Sequence, residues 1–104
     1  MQALFIGQAY IDITFLTDRL PTGDEKTLAK DYAVSFGGNA VTAAFCCAKL
    51  GGEPELVCSL ANDWLARMFL DMASKYGIYV HGRKVRESSL SFIMPNDGKR
   101  AIVR

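Results

Sequence analysis

Apolar and polar positions follow two rhythms along this chain, and each predicts a different kind of element. Residues 3–6 form a short unbroken apolar run ending at Gly7, which predicts a buried strand. Residues 10–16 alternate, with Ile11, Ile13 and Phe15 on one side and Asp12 and Thr14 on the other, as in a half-exposed strand. Leu20-Pro21-Thr22-Gly23-Asp24 has turn chemistry. Residues 26–36 read as extended, with Leu28, Tyr32, Val34 and Phe36 as their apolar members. The rhythm then changes. Residues 39–50 predict a helix that is apolar nearly all round, with Lys49 as its only charge, and such a helix is expected to be covered on most sides. Residues 56–60 predict a second buried strand. Asn62 or Asp63 then caps a helix in which Leu65, Met68, Phe69, Met72 and Tyr76 recur at helical spacing, and Gly77 closes it. Residues 79–85 read as extended. Residues 91–94 and 101–103 flank Pro95-Asn96-Asp97-Gly98, a hairpin turn.

The unbroken runs and the helices come in the order of βαβα units, which build a parallel sheet. The alternating strands do not fit inside such a sheet and predict a separate small sheet over its edge, as a lid. The expected fold class is α/β, with residues 1–9 and 37–78 as the α/β core and residues 10–36 and 79–104 as lid strands. The chain ends at Arg104 within a strand, without turn, cap or polar tail, and is expected to be a fragment.

Bulk properties narrow the function classes. A chain of 104 residues, 50% hydrophobic, suits one small domain whose buried fraction is modest. Twelve basic and eleven acidic residues are spread along it for a net charge of +1. That balance offers no basic stripe for nucleic acid and no acidic tail for a cationic partner. His81, Arg83, Lys84 and Arg86 are the densest basic patch and read as a solvated strand face or loop. Cys46, Cys47 and Cys58 have no metal-ligand spacing and read as small buried apolar residues in a reducing compartment, so no metal site is expected. Trp64 reads as a packing residue beside the helix cap. No basic leader precedes the first apolar run and no run is long enough to span a bilayer, so a cytoplasmic protein without membrane contact is expected.

The stretch Phe36-Gly37-Gly38-Asn39 carries the most chemistry. Two adjacent glycines open directly into the small-residue helix. They let the backbone approach a ligand and take dihedrals that a Cβ would forbid. The helix start offers free N–H groups and the positive end of the dipole. Two readings stay open from these residues: a tight turn capped by Asn39, or a loop that holds a polar ligand group by backbone.

Taken together, the early strand followed by Asp12, the lid strands, Gly37-Gly38 with Ala40, Ala44 and Gly51 behind them, and the next βα unit resemble the ribokinase, or pfkB, family of carbohydrate kinases. The resemblance covers the whole chain, matched to roughly the first third of a family member. It implies the N-terminal part of a ribokinase-like three-layer α/β/α sheet with a small β-sheet lid. Residues 59–66 occupy the position of the family's Gly-Asp-Asp stretch, with Ala61, Asn62 and Ala66 replacing the usual glycine, acid and glycine. The family's usual asparagine in the first motif falls on Thr42. Thr42, Lys26 and residues 88–94 make the chain most similar to the sulfofructose-kinase-like branch.

The resemblance also implies roles. The family phosphorylates a sugar hydroxyl with ATP. Asp12 resembles the carboxylate that accepts hydrogen bonds from sugar hydroxyls, a task suited to an acceptor-only group. Gly37, Gly38 and Asn39 would present backbone N–H groups and one amide to the sugar. Thr42 either contributes there or packs against the sheet. Lys26 and Arg104 are candidates for an anionic substrate group, against a plain reading as surface charges. The family's base and anion hole lie in a later Gly-Ala-Gly-Asp motif that does not occur in these residues, and there is no Walker-type loop. ATP and Mg²⁺ are therefore expected to be bound by the parent protein outside this fragment. No catalytic residue is expected within it, and the fragment alone is expected to be inactive. Family lids often meet, so a homodimer through the lid strands is expected. The rival readings are a non-catalytic sugar or nucleoside binding module and a lid-mediated dimerisation module.

Overall fold

The computed structural model describes residues 2–96 and 98–103, the side chain of Asn96 excepted. Along the described residues run β1 (Gln2–Ile6), β2 (Tyr10–Leu16), β3 (Asp31–Gly37), α1 (Asn39–Lys49), β4 (Glu53–Leu60), α2 (Trp64–Lys75), β5 (Tyr79–Lys84), β6 (Ser89–Asn96) and β7 (Lys99–Val103). They divide into two compact units. The first takes the chain up to Ile11 together with Phe36–Ser89, and the second takes Asp12–Ser35 together with the chain from Leu90.

The first unit is built on a parallel sheet of order β1-β4-β5. Both helices cover the face that carries Leu56, Cys58 and Leu60. Phe69 of α2 is 0% exposed at the centre of this core and meets Phe36 edge-on at 5.6 Å. Burial of a side chain of that size contributes about 1.5–3 kcal/mol. Ala40, Val41, Ala44 and Cys47 form the buried stripe of α1, and Leu65, Ala66, Phe69 and Ala73 that of α2. Small residues at 66 and 73 let α2 lie close to the sheet.

The helix ends follow from local chemistry. Asp63 caps α2, its Oδ1 accepting the Ala66 N–H at 2.9 Å. Both helices finish in the same double hydrogen bond. Gly52 N–H donates to Cys47 C=O and Gly51 N–H to Ala48 C=O after α1. Ile78 N–H donates to Ala73 C=O and Gly77 N–H to Ser74 C=O after α2. This pattern satisfies carbonyls that a helix terminus would otherwise leave open. Near these ends Lys49 Nζ lies 5.5 Å from the Phe45 ring and 5.1 Å from the Tyr76 ring.

The second unit is carried by the sheet of order β3-β2-β6-β7. β6 and β7 are antiparallel, with Asn96 opposite Lys99. Asp97 lies outside the described residues. Phe15 and Phe92 stack across the sheet at 6.3 Å.

Several expectations need correction. Residues 79–84, expected among the lid strands, form β5 of the parallel sheet, with Tyr79 beside Glu55 and Lys84 beside Leu60. Their charged pattern is that of an edge strand. Residues 3–6 are not buried on both sides: Phe5 packs on the core, while Leu4 is 59% and Ile6 71% exposed. α1 is covered on one stripe, and Thr42, Cys46 and Lys49 face outward. Cys46 is thus exposed, not buried. Trp64 is 57% exposed and is no packing residue of this core. Residues 26–30 form no regular strand, and only 31–37 do.

Candidate functional site

The expected ligand-bearing residues fall in both units. In the first unit the helix start is shaped by backbone. Gly38, not Asn39, is the N-cap of α1, with φ 104 and ψ 146 and no side-chain cap. Few residues other than glycine adopt that conformation. The position is closed in a second way. A Cβ on Gly38 would stand 2.1 Å from the Gln8 carbonyl oxygen, so the chain after β1 lies directly against the glycine. Gly7 has a related constraint, because its Cβ would meet the Ala40 Cβ at 2.7 Å. Two glycines thus allow α1 to begin against the carboxyl end of β1. In open α/β sheets ligands bind at the carboxyl ends of the strands, and the first N–H groups of α1 at that end have no backbone partner among the described residues.

Asn39 is the first helical residue and is exposed. The reading of a turn capped by its side chain does not hold. Thr42 donates its N–H to Gly38 C=O at 3.0 Å, and its residue is exposed and does not pack against the sheet.

In the second unit Asp12 is half-buried on β2, and its Oδ1 is shielded from solvent without a hydrogen-bond partner among the described residues. A shielded carboxylate oxygen without a donor carries a desolvation cost that a ligand donor would relieve. Lys26 is exposed and follows a loop knit by Glu25. Glu25 accepts hydrogen bonds from Arg19 Nη1 at 3.1 Å and from Thr22 Oγ1 at 2.9 Å. Arg104 lies outside the described residues. Among the described residues no group of three or more His, Cys, Asp or Glu could hold a metal ion. No helix among them is long and apolar enough to cross a membrane.

The loops at the carboxyl ends of the parallel strands carry a hydrogen-bond set that sequence reading missed. Asp63 Oδ1 also accepts from Ser88 Oγ at 2.8 Å, and Asp63 Oδ2 accepts from Ser88 N–H at 3.2 Å. Ser88 Oγ accepts in turn from Ala61 N–H at 3.2 Å. Gln8 Nε2 donates to Ser89 Oγ at 2.6 Å. Partial burial pushes the Asp63 carboxyl up. The hydrogen bonds from Ala66 and Ser88 and the nearby Arg67 charge outweigh that, and the net position lies below the ordinary 3.8. The capping role of Asp63 was visible in sequence, whereas its tie to Ser88, 25 residues away, left no local signal.

These features meet a known pattern. The chain belongs to the pfkB family of carbohydrate kinases, whose profile matches residues 2–103. A ribokinase of Mus musculus is 26% identical over a 102-residue alignment that covers 94% of this chain and 32% of the relative. The ribokinase structure from Thermotoga maritima matches with a TM-score of 0.81 at 25% identity. That of the Arabidopsis thaliana ribokinase, complexed with ribose and ATP, matches with a TM-score of 0.81 at 26% identity. Each match covers 96% of this chain and 34% of the solved one. The chain therefore spans about a third of the length of these relatives. The fold is the ribokinase-like α/β fold expected from sequence.

Proposed function

We propose that this chain is the sugar-binding N-terminal part of an ATP-dependent carbohydrate kinase that phosphorylates a sugar hydroxyl. The observation that carries the reading is the Asp12 Oδ1 atom, shielded from water and unmatched by any protein donor among the described residues. Sugar hydroxyls are the donors that suit such an acceptor, and one carboxylate can take two of them. In the first unit Gly37, Gly38 and Asn39 are suited to supply N–H groups to a sugar, and Thr42, exposed on the first turn of α1, is a further candidate contact. The likeness to ribokinases, one of them bound to ribose and ATP, supports a sugar of that class.

ATP and Mg²⁺ belong to parts of the parent outside this chain, and the base that activates the hydroxyl lies there too. The chain alone accordingly turns over no ATP. Lys26, exposed in the second unit, suits an anionic group on the sugar, as in the sulfofructose-kinase-like branch. The deciding experiment is a phosphorylation screen of the full-length parent against ribose, other neutral sugars, nucleosides and anionic sugars. Phosphorylation of one sugar, weakened by Asp12→Ala, supports the reading. Binding without phosphorylation in every case turns it toward a non-catalytic module.

The edge strand β3 supports a homodimer as well. Residues 31–35 are all exposed, with Tyr32 and Val34 among them, and an open apolar edge pairs readily with a second copy. A parent that sediments as a monomer at all concentrations overturns this part.

A further inference from the structure

Gln8, Ser88 and Ser89 have no role in the reading above, and Asp63 has only that of a cap. Their hydrogen bonds nevertheless join three loops. The loop after β1 reaches the start of β6 through Gln8 Nε2 and Ser89 Oγ, 2.6 Å apart. The loop after β4 reaches the connection from β5 to β6 through Asp63, Ser88 and Ala61, with distances of 2.8 to 3.2 Å. Val85 N–H donates to Leu60 C=O at 3.3 Å beside them. Ser88 is buried and its bond to the Ala61 N–H lies out of water, the bonds to Asp63 are partly shielded, and the Gln8–Ser89 bond is exposed. Gln8 has two separate contacts. Its side chain holds Ser89, and its carbonyl is the wall against which Gly38 is seated.

We propose that Asp63, Ser88, Ser89 and Gln8 are positioning residues, a polar clasp across the carboxyl edge of the parallel sheet that sets the seat of the Gly38 loop through Gln8. The clasp accounts for two features that capping leaves unexplained. Asp63 uses both carboxylate oxygens although an N-cap needs one. A serine is buried where an apolar residue would pack without a hydrogen-bonding demand.

Asp63→Asn separates the clasp from the cap. Asparagine caps a helix as well as aspartate does, yet its single carbonyl oxygen cannot also serve the Ser88 N–H. In this variant the Ser88 amide is expected to exchange with solvent about tenfold faster, while amides within α2 keep their protection. In Ser89→Ala the Gly38 amide resonance is expected to move although the Ser89 side chain bonds Gln8 and not Gly38, and Ser89→Thr restores it. An unmoved Gly38 resonance in Ser89→Ala, or unchanged Ser88 exchange in Asp63→Asn, overturns the clasp. A general loss of protection in every element would also overturn it, since that is what a purely structural role produces. The functional arm rests on the proposed substrate loop: in the parent, Ser89→Ala raises the KM for ribose several-fold with kcat retained. A parent that phosphorylates no sugar sinks the proposed function, and the spectra still decide the clasp.

Discussion

The Gly38 Cα lies against the carbonyl of Gln8, so closely that a Cβ there would stand 2.1 Å from that oxygen. The neighbour is backbone and cannot swing aside. Gly38→Ala therefore combines a clash with a strained φ of 104. The strain alone costs about 1–3 kcal/mol, and about 1 kcal/mol lowers Tm by roughly 4–8 °C in a chain of this size. Gly51→Ala is the control, because φ is 85 there but nothing lies within 4 Å of the added Cβ. Thermal unfolding of the two variants is expected to rank Gly38→Ala well below Gly51→Ala. Equal midpoints would mean that the Gln8 contact carries no constraint.

Asp12 separates function from stability. Its shielded Oδ1 has no donor among the described residues, so Asp12→Ala removes an uncompensated group and is expected to leave Tm unchanged or raise it. Sugar phosphorylation by the parent is expected to move the other way. Hydrogen bonds to a charged group contribute about 1.5–3 kcal/mol each, so kcat/KM falls by roughly tenfold to a hundredfold per bond lost. Melting curves and steady-state kinetics on the same variant check both halves. A large drop in Tm would show that Asp12 serves the fold.

The elements were legible in the sequence because their signals are local. The helical spacing of Leu65 and Phe69, the cap at Asp63 and the glycines after each helix all act within one or two turns. The βαβα order likewise gave the parallel pairing of β1 with β4. Relations between distant segments were not legible. Residues 79–84 look exposed because they form an edge strand, and only the pairing of Tyr79 with Glu55 assigns them to the parallel sheet. Leu4 and Ile6 look like core by composition, but the helices cover only the opposite face. At the site, Gly37 and Gly38 were readable, whereas Gln8 and Ser88 were not, since their partners lie far along the chain.

The three cysteines should react in an order set by burial. Burial pushes the Cys58 thiol up to about 11, and its residue is 3% exposed. The thiolate is the reactive form. Cys46 is exposed on the outer side of α1. A thiol reagent such as a disulfide dye at neutral pH is expected to label Cys46 first in the native chain, and Cys58 only on unfolding. Mass spectrometry of the singly labelled species identifies the site. Early labelling of Cys58 would show that the β4 face opens without global unfolding.

Asp63 makes stability depend on acid in a predictable direction. Its folded carboxyl lies below the ordinary 3.8, so the unfolded chain binds the proton more readily than the folded one. The stabilisation is therefore fully present above the ordinary value and is lost as pH falls through the folded value. Other carboxylates titrate too, and a single melting series cannot isolate this one. Asp63→Asn can, because asparagine keeps the Ala66 cap and has no charge to lose. Every other group is common to the two proteins and cancels in the difference between their melting midpoints. The wild type is expected to melt higher at neutral pH, and the gap to close as pH falls below about 4. A gap that stays constant through that range would mean that Ser88 and Ala66 bind the neutral carboxyl as well as the carboxylate.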